Sequence, residues 1–189
     1  MITESSESIS TDLCRIHVRR AGSGPPVLLW HSLFVDSRSW GSLFDRLAER
    51  RSVIAVDGPC HGRSGAVLRH FGFDEVADAA VTVLDRLGLD TPVDWVGNAW
   101  GGHVGIQVAA RHPDRLRTLA AADLDGNGSD ELLSLCENDA LTAEGTGYAG
   151  WVLAGVGGSE LAVGQMDDDP ALEVASTSGR VVDSGTRSV

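Results

Sequence analysis

The stretch Val96-Gly97-Asn98-Ala99-Trp100-Gly101-Gly102-His103 constrains the fold of this chain more than any other. The preceding Val93-Asp94-Trp95-Val96 has the composition of a strand, and from about Gly101 to Arg111 the apolar spacing predicts a helix that Pro113 stops. Glycines on both sides of one residue let two backbones pass close together. They hold the central side chain on a strained corner at a helix N-terminus, an arrangement that presents a nucleophile. The residue presented here is Ala99, which has no nucleophilic atom.

The chain before the turn repeats the same alternation. Ile16-His17-Val18-Arg19 reads as a short strand closed by Ala21-Gly22-Ser23-Gly24-Pro25-Pro26. Val27-Leu28-Leu29-Trp30 and Val53-Ile54-Ala55-Val56 are continuous apolar runs, the pattern of strands buried on both faces. Between them Trp40, Leu43, Phe44 and Leu47 fall at helical spacing, with Ser37 or Ser39 as the expected cap. Asp74 opens a helix whose face is Val76, Ala80, Leu84 and Leu87, and Gly88 is placed to end it. Leu116-Arg117-Thr118-Leu119-Ala120-Ala121 is a fourth strand after the turn. This order predicts an α/β fold, a mostly parallel sheet with helices on both faces. Reactive groups in such sheets gather at the carboxyl ends of strands, where His31, Asp57, Ala99 and Asp123 fall.

Charge divides the chain. The first 122 residues carry 14 acids against 13 arginines, and the remainder 13 acids against two. We therefore expect a flexible N-terminus over 1–12, an α/β domain over 13–122, and an acidic Gly/Ser-rich, partly disordered tail over 123–189. In that tail Leu132, Leu133 and Leu135 suggest a short helix, and the strand before it is expected at an exposed sheet edge. A degraded gene, or one read out of frame after residue 122, would give the same shift in composition. No basic patch exists in either part, which excludes nucleic acid and anionic membrane surfaces as partners and leaves a small molecule. The acidic, serine-rich start lacks the basic and apolar runs of a signal peptide, and three scattered cysteines suggest reduced thiols, so a cytoplasmic protein is expected.

Residues 13 to about 122 resemble the N-terminal half of the α/β-hydrolase fold. Four signatures carry the resemblance, in the family's order: Ile16-His17-Val18 with the following Gly-Pro turn, Val27-Leu28-Leu29-Trp30-His31, Asp57-Gly58-Pro59-Cys60-His61-Gly62-Arg63-Ser64, and the turn from Gly97 to Gly102. Ser32 and Cys60 stand where the family usually has glycine. The resemblance implies a nucleophile position at Ala99 and an oxyanion hole shaped by His31, with backbone N–H groups from about Leu33 and from Trp100. It places a possible catalytic acid at Asp123 and expects no cofactor. The elbow is most similar to epoxide hydrolases and haloalkane dehalogenases, with esterases the other large group. The family's late histidine and cap helices have no counterpart here, so the fold is expected to be C-terminally incomplete. Hydrolysis of small esters, epoxides or alkyl halides is then expected by descent, with a degenerate active site of little or no turnover, because Ala99 rules out the covalent route. The alternative is a non-catalytic protein that binds a small molecule or a partner.

Each polar residue also has a plainer reading. His31 and His61 suit hydrogen-bonded loop formers, His103 a packing position on the helix, and Asp57 an acceptor for N–H groups of its own turn. Cys60 has nothing beside it to form a thiolate. Asp123, Asp125 and Asn127 alternate with glycine as in a calcium loop, a weak alternative to an acidic loop without metal.

Overall fold

The computed structural model describes residues 3–122 and, beyond them, the strands Leu132–Cys136, Ala140–Gly145, Tyr148–Leu153, Leu161–Gly164, Glu173–Ser176 and Val181–Val182. In chain order the first part comprises β1 (Glu4–Ser10), β2 (Arg15–Ala21), β3 (Pro26–Trp30), α1 (Gly41–Ala48), β4 (Ser52–Asp57), α2 (Phe73–Arg86), β5 (Val93–Asn98), α3 (Trp100–Arg111) and β6 (Leu116–Ala122). The later strands are β7 to β12.

The sheet runs β1-β2-β4-β3-β5-β6-β7-β8-β9. Its centre, β4-β3-β5-β6, is parallel, as expected from strands joined through helices. β1 and β2 join it antiparallel. The apolar runs divide by period two. Leu28, Trp30, Ile54 and Val56 pack with Val76, Ala80 and Val83 of α2 and with Val104 and Val108 of α3. Val27, Leu29, Val53 and Ala55 pack on the other face with Phe44 and Ala48 of α1. Burial of both faces is why neither strand shows a polar alternation.

Four sequence expectations need correction. The N-terminal segment contains β1, which lies along β2 from Glu4↔Ala21 to Ser10↔Arg15. Its acids pair with the arginines of β2 (Arg19 to Glu4, Arg20 to Glu7), and Ile9 is buried, so a polar strand is held by its neighbour. Neither Ser37 nor Ser39 caps α1, whose N-cap Trp40 makes no side-chain hydrogen bond; the capped element is the 3₁₀ turn Ser37–Trp40 ahead of it, where the Asp36 side chain accepts the Arg38 N–H. The leucines after residue 131 lie in a strand, not a helix. β7 pairs antiparallel with β6 (Leu119↔Leu135, Ala122↔Leu132), so β6 is not the sheet edge. Strands β7 to β12 lie within the segment 123–189.

Candidate functional site

The turn between β5 and α3 is built from close backbone approaches. A β-carbon at Gly97 would lie 2.2 Å from the Gly101 carbonyl oxygen, and one at Gly101 would lie 2.0 Å from that of Trp30. Only glycine fits either place, and the helix start is thereby pressed against the end of β3. Between them Ala99 sits at φ 46°, ψ −111°. This left-handed region costs a residue with a β-carbon about 1–3 kcal/mol, and the surroundings must enforce it. They do so through hydrogen bonds. The Ala99 N–H donates to the Ala122 carbonyl at 2.7 Å, and the Ala99 carbonyl accepts from Gly102 N–H at 2.8 Å. The same carbonyl accepts from His103 Nδ1 at 3.0 Å. The Trp95 indole N–H donates to the Gly101 carbonyl at 3.0 Å, bracing the first helical turn from the strand side. Helix geometry leaves the Trp100 N–H without an intrahelical acceptor.

Two loops close over this corner. His31, fully buried, accepts the Gly58 N–H on Nε2 at 2.9 Å and donates from Nδ1 to the Ser32 carbonyl at 2.6 Å. A carbonyl can only accept, so the tautomer is fixed with the proton on Nδ1. Burial pushes the imidazole below its ordinary pKa, so it is held neutral. Both ring nitrogens are engaged, and His31 acts as a tie between the loops after β3 and β4. His61 plays a similar part, donating from Nδ1 to the Pro59 carbonyl at 2.7 Å and accepting the Phe34 N–H at 3.3 Å. Trp100 packs among them, its ring 5.7 Å from His31, 5.0 Å from His61 and 5.8 Å from Trp30. Leu33, on the same loop as Phe34, is 46 % exposed.

Asp57 is the third tie. Its buried carboxylate accepts the Ser37 N–H on Oδ1 and the Arg63 N–H on Oδ2, both at 2.8 Å. Its carbonyl accepts the Ser64 hydroxyl at 2.5 Å, and Ser64 Oγ in turn accepts the His17 N–H at 2.8 Å. Nearby, on the α1 side of the sheet, a polar cavity of about 290 Å³ includes His17, Asp36, Asp57 and Arg63 in its lining.

Of the residues singled out from sequence, His31, Asp57, His61, Ala99 and Trp100 are brought together by β3, β4 and β5. His103 lies one turn into α3 against Phe73. Asp123, Asp125 and Asn127 lie outside the described residues, although β6 delivers Ala122 directly to Ala99. Among the described residues no group of three His, Cys, Asp or Glu could hold a metal ion. None of their helices is long and apolar enough to cross a membrane. Sequence reasoning missed the stacked Trp30–Trp95 pair, 5.5 Å apart beneath the corner. A tryptophan at the end of one apolar strand and another within the next was the available signal.

Comparison with known proteins identifies the fold family. Residues 25–152 match the alpha/beta hydrolase fold family. The chain is 30 % identical over 122 residues to a 2-(acetamidomethylene)succinate hydrolase of Mesorhizobium japonicum, covering 65 % of this chain and 44 % of that protein. It is 33 % identical over 110 residues to bifunctional epoxide hydrolase 2 of Sus scrofa, covering 57 % and 20 %. Among solved structures, a thermophilic esterase from Thermogutta terrifontis superposes with a TM-score of 0.60 at 26 % identity, over 63 % of this chain and 45 % of that one. The chain thus spans less than half the length of these relatives.

Proposed function

Within the α/β-hydrolase fold family, to which this chain belongs, we propose that it is a hydrolase by descent that keeps a binding frame and lacks covalent turnover. The ligand class is a small ester, epoxide or alkyl halide. The observation that carries the reading is Ala99 at φ 46° in the glycine-flanked turn: a strained corner is maintained around a methyl group. A methyl cannot attack carbon, so the two-step covalent mechanism has no first step. In this reading the N–H groups of Leu33 and Trp100 receive an oxyanion or leaving oxygen, His31 ties the loop carrying Leu33 to the loop after β4, and Asp123 is the acid left from the ancestral machinery. Without the nucleophile, oxyanion stabilisation and binding leave at most about 10³–10⁴-fold acceleration over water.

The test supplies the missing atom. With a primary bromoalkane, Ala99→Asp lets the introduced carboxylate displace bromide, forming a C–O bond as the C–Br bond breaks. Intact-mass measurement then shows one added alkyl group on the variant and none on the parent. No adduct on a folded variant would remove the binding frame. In the parent protein, turnover of a p-nitrophenyl ester, an epoxide or a haloalkane that persists to purity and is lost in Asp123→Asn would overturn the claim of inactivity.

A further inference from the structure

The loop after β4 carries a second backbone outlier. Cys60 adopts φ 64°, a left-handed conformation that glycine takes without strain. It is an exposed thiol, and a β-carbon is retained there against that strain. A second cysteine, Cys14, lies in the turn joining β1 to β2. That turn is held by the Thr11 N–H and Thr11 hydroxyl, which donate to the Cys14 carbonyl at 3.1 and 2.7 Å.

Gly65 links the two. Its carbonyl accepts the Cys60 N–H at 3.1 Å, and its own N–H donates to the Arg15 carbonyl at 2.7 Å. Gly65 places nothing in the space on the Cys14 side, where a β-carbon would stand 3.5 Å from Cys14 Cβ. The Cys60 sulfur accepts the Val67 N–H at 3.3 Å, two residues beyond Gly65. Burial raises the Cys14 thiol, and so, to a smaller extent, does the charge that Cys60 can carry. Both cysteines lie outside the paired strand residues, and the bond demands a Cα separation of about 4–7 Å.

We propose that Cys14 and Cys60, both held against Gly65, form a reversible disulfide that fastens the β1–β2 turn to the loop carrying His61. The oxidant is a low-molecular-weight disulfide. The exposed Cys60 thiol loses its proton to solvent and attacks one of its sulfurs, giving a mixed disulfide and releasing one thiolate. Cys14, after losing its proton to solvent, attacks the Cys60 sulfur and expels the second thiolate. The protein loses two electrons, and the oxidant leaves as two thiols. Because His61 packs on Trp100 and holds the Phe34 N–H, the bond fixes the loop that borders the candidate pocket.

The experiment incubates the full chain with graded ratios of oxidised to reduced glutathione, blocks remaining thiols at acid pH with N-ethylmaleimide, and maps tryptic peptides. Cleavage at arginine places Cys14 in peptide 1–15, Cys60 in 52–63 and Cys136 in 118–180. The expected product is peptide 1–15 joined to 52–63. Free thiols fall from three to one, and dithiothreitol restores them. Cys14→Ser and Cys60→Ser each abolish the cross-link. Repeated in 6 M guanidinium, the preference for this pair over those with Cys136 drops at least about tenfold, because proximity then no longer selects it. A glutathione adduct at Cys60 that never passes to Cys14, or cross-linking chiefly to 118–180, overturns the proposal.

Discussion

Replacing Gly101 by alanine sets two effects of opposite sign against each other. In a helix interior alanine is favoured over glycine by about 1 kcal/mol. Propensity alone therefore predicts that Gly101→Ala stabilises α3. The structure predicts the reverse. The new methyl would lie 2.0 Å from the Trp30 carbonyl oxygen, 2.6 Å from its carbonyl carbon and 3.0 Å from the His31 carbonyl oxygen. A comfortable carbon–oxygen contact is about 3.3 Å or more, so something must move by more than about 1 Å. The obstructing atoms are backbone, and β3 cannot yield, because Trp30 is registered against Val56 on one side and Gly97 on the other. Overpacking against such a wall costs about 3 kcal/mol or somewhat more. Subtracting the propensity gain leaves a net loss of about 2 kcal/mol. For a chain of this size that corresponds to a fall in Tm of about 4–8 °C. Urea denaturation followed by tryptophan fluorescence measures it, since Trp30, Trp95 and Trp100 all lie at the contact. Unchanged or raised stability in Gly101→Ala would refute the claim that a backbone-to-backbone contact defines this corner.

Other substitutions probe the ties between loops. Asp57→Ala strands the buried Ser37 N–H and the half-buried Arg63 N–H and is expected to cost about 3 kcal/mol in the same assay. Cys60→Gly relieves the left-handed strain, worth about 1–2 kcal/mol. Part of that is returned to the greater freedom of glycine in the unfolded chain, so a gain of up to about 1 kcal/mol is expected under reducing conditions. Burial lowers the pKa of His31 in the folded state, so the unfolded chain binds a proton first on acidification. The stability held by neutral His31 is therefore complete above the ordinary histidine value of 6.5 and declines as pH falls below it. Urea midpoints between pH 7.5 and 5 should show this decline in the parent and a shallower one in His31→Asn. Equal slopes would mean that the ring is not held neutral.

The α/β fold was legible because its signals are local. Continuous apolar runs at residues 27–30 and 53–56 report burial on two faces, and the glycines around Ala99 report a corner that only a strand-to-helix crossing needs. The strand Glu4–Ser10 was not legible, since it is polar on its own and is stabilised by arginines that belong to β2. The strand Leu132–Cys136 was misread for a related reason: three leucines in four positions fit either period, and pairing with β6 decided between them.

The candidate site divides along the same line. The sequence by itself determined which residues stand at the carboxyl ends of strands and that the presented residue is an alanine, because strand length and turn chemistry fix those positions locally. Tertiary structure alone decided what each polar group does there. His31 meets the Gly58 N–H 27 residues away, Asp57 meets the Ser37 N–H 20 residues away, and Cys14 and Cys60 come to share Gly65. Backbone preference extends over only a few residues. The partner of a buried polar group is set by which loops the sheet order brings together, and that order exists only once β4, β3 and β5 have paired.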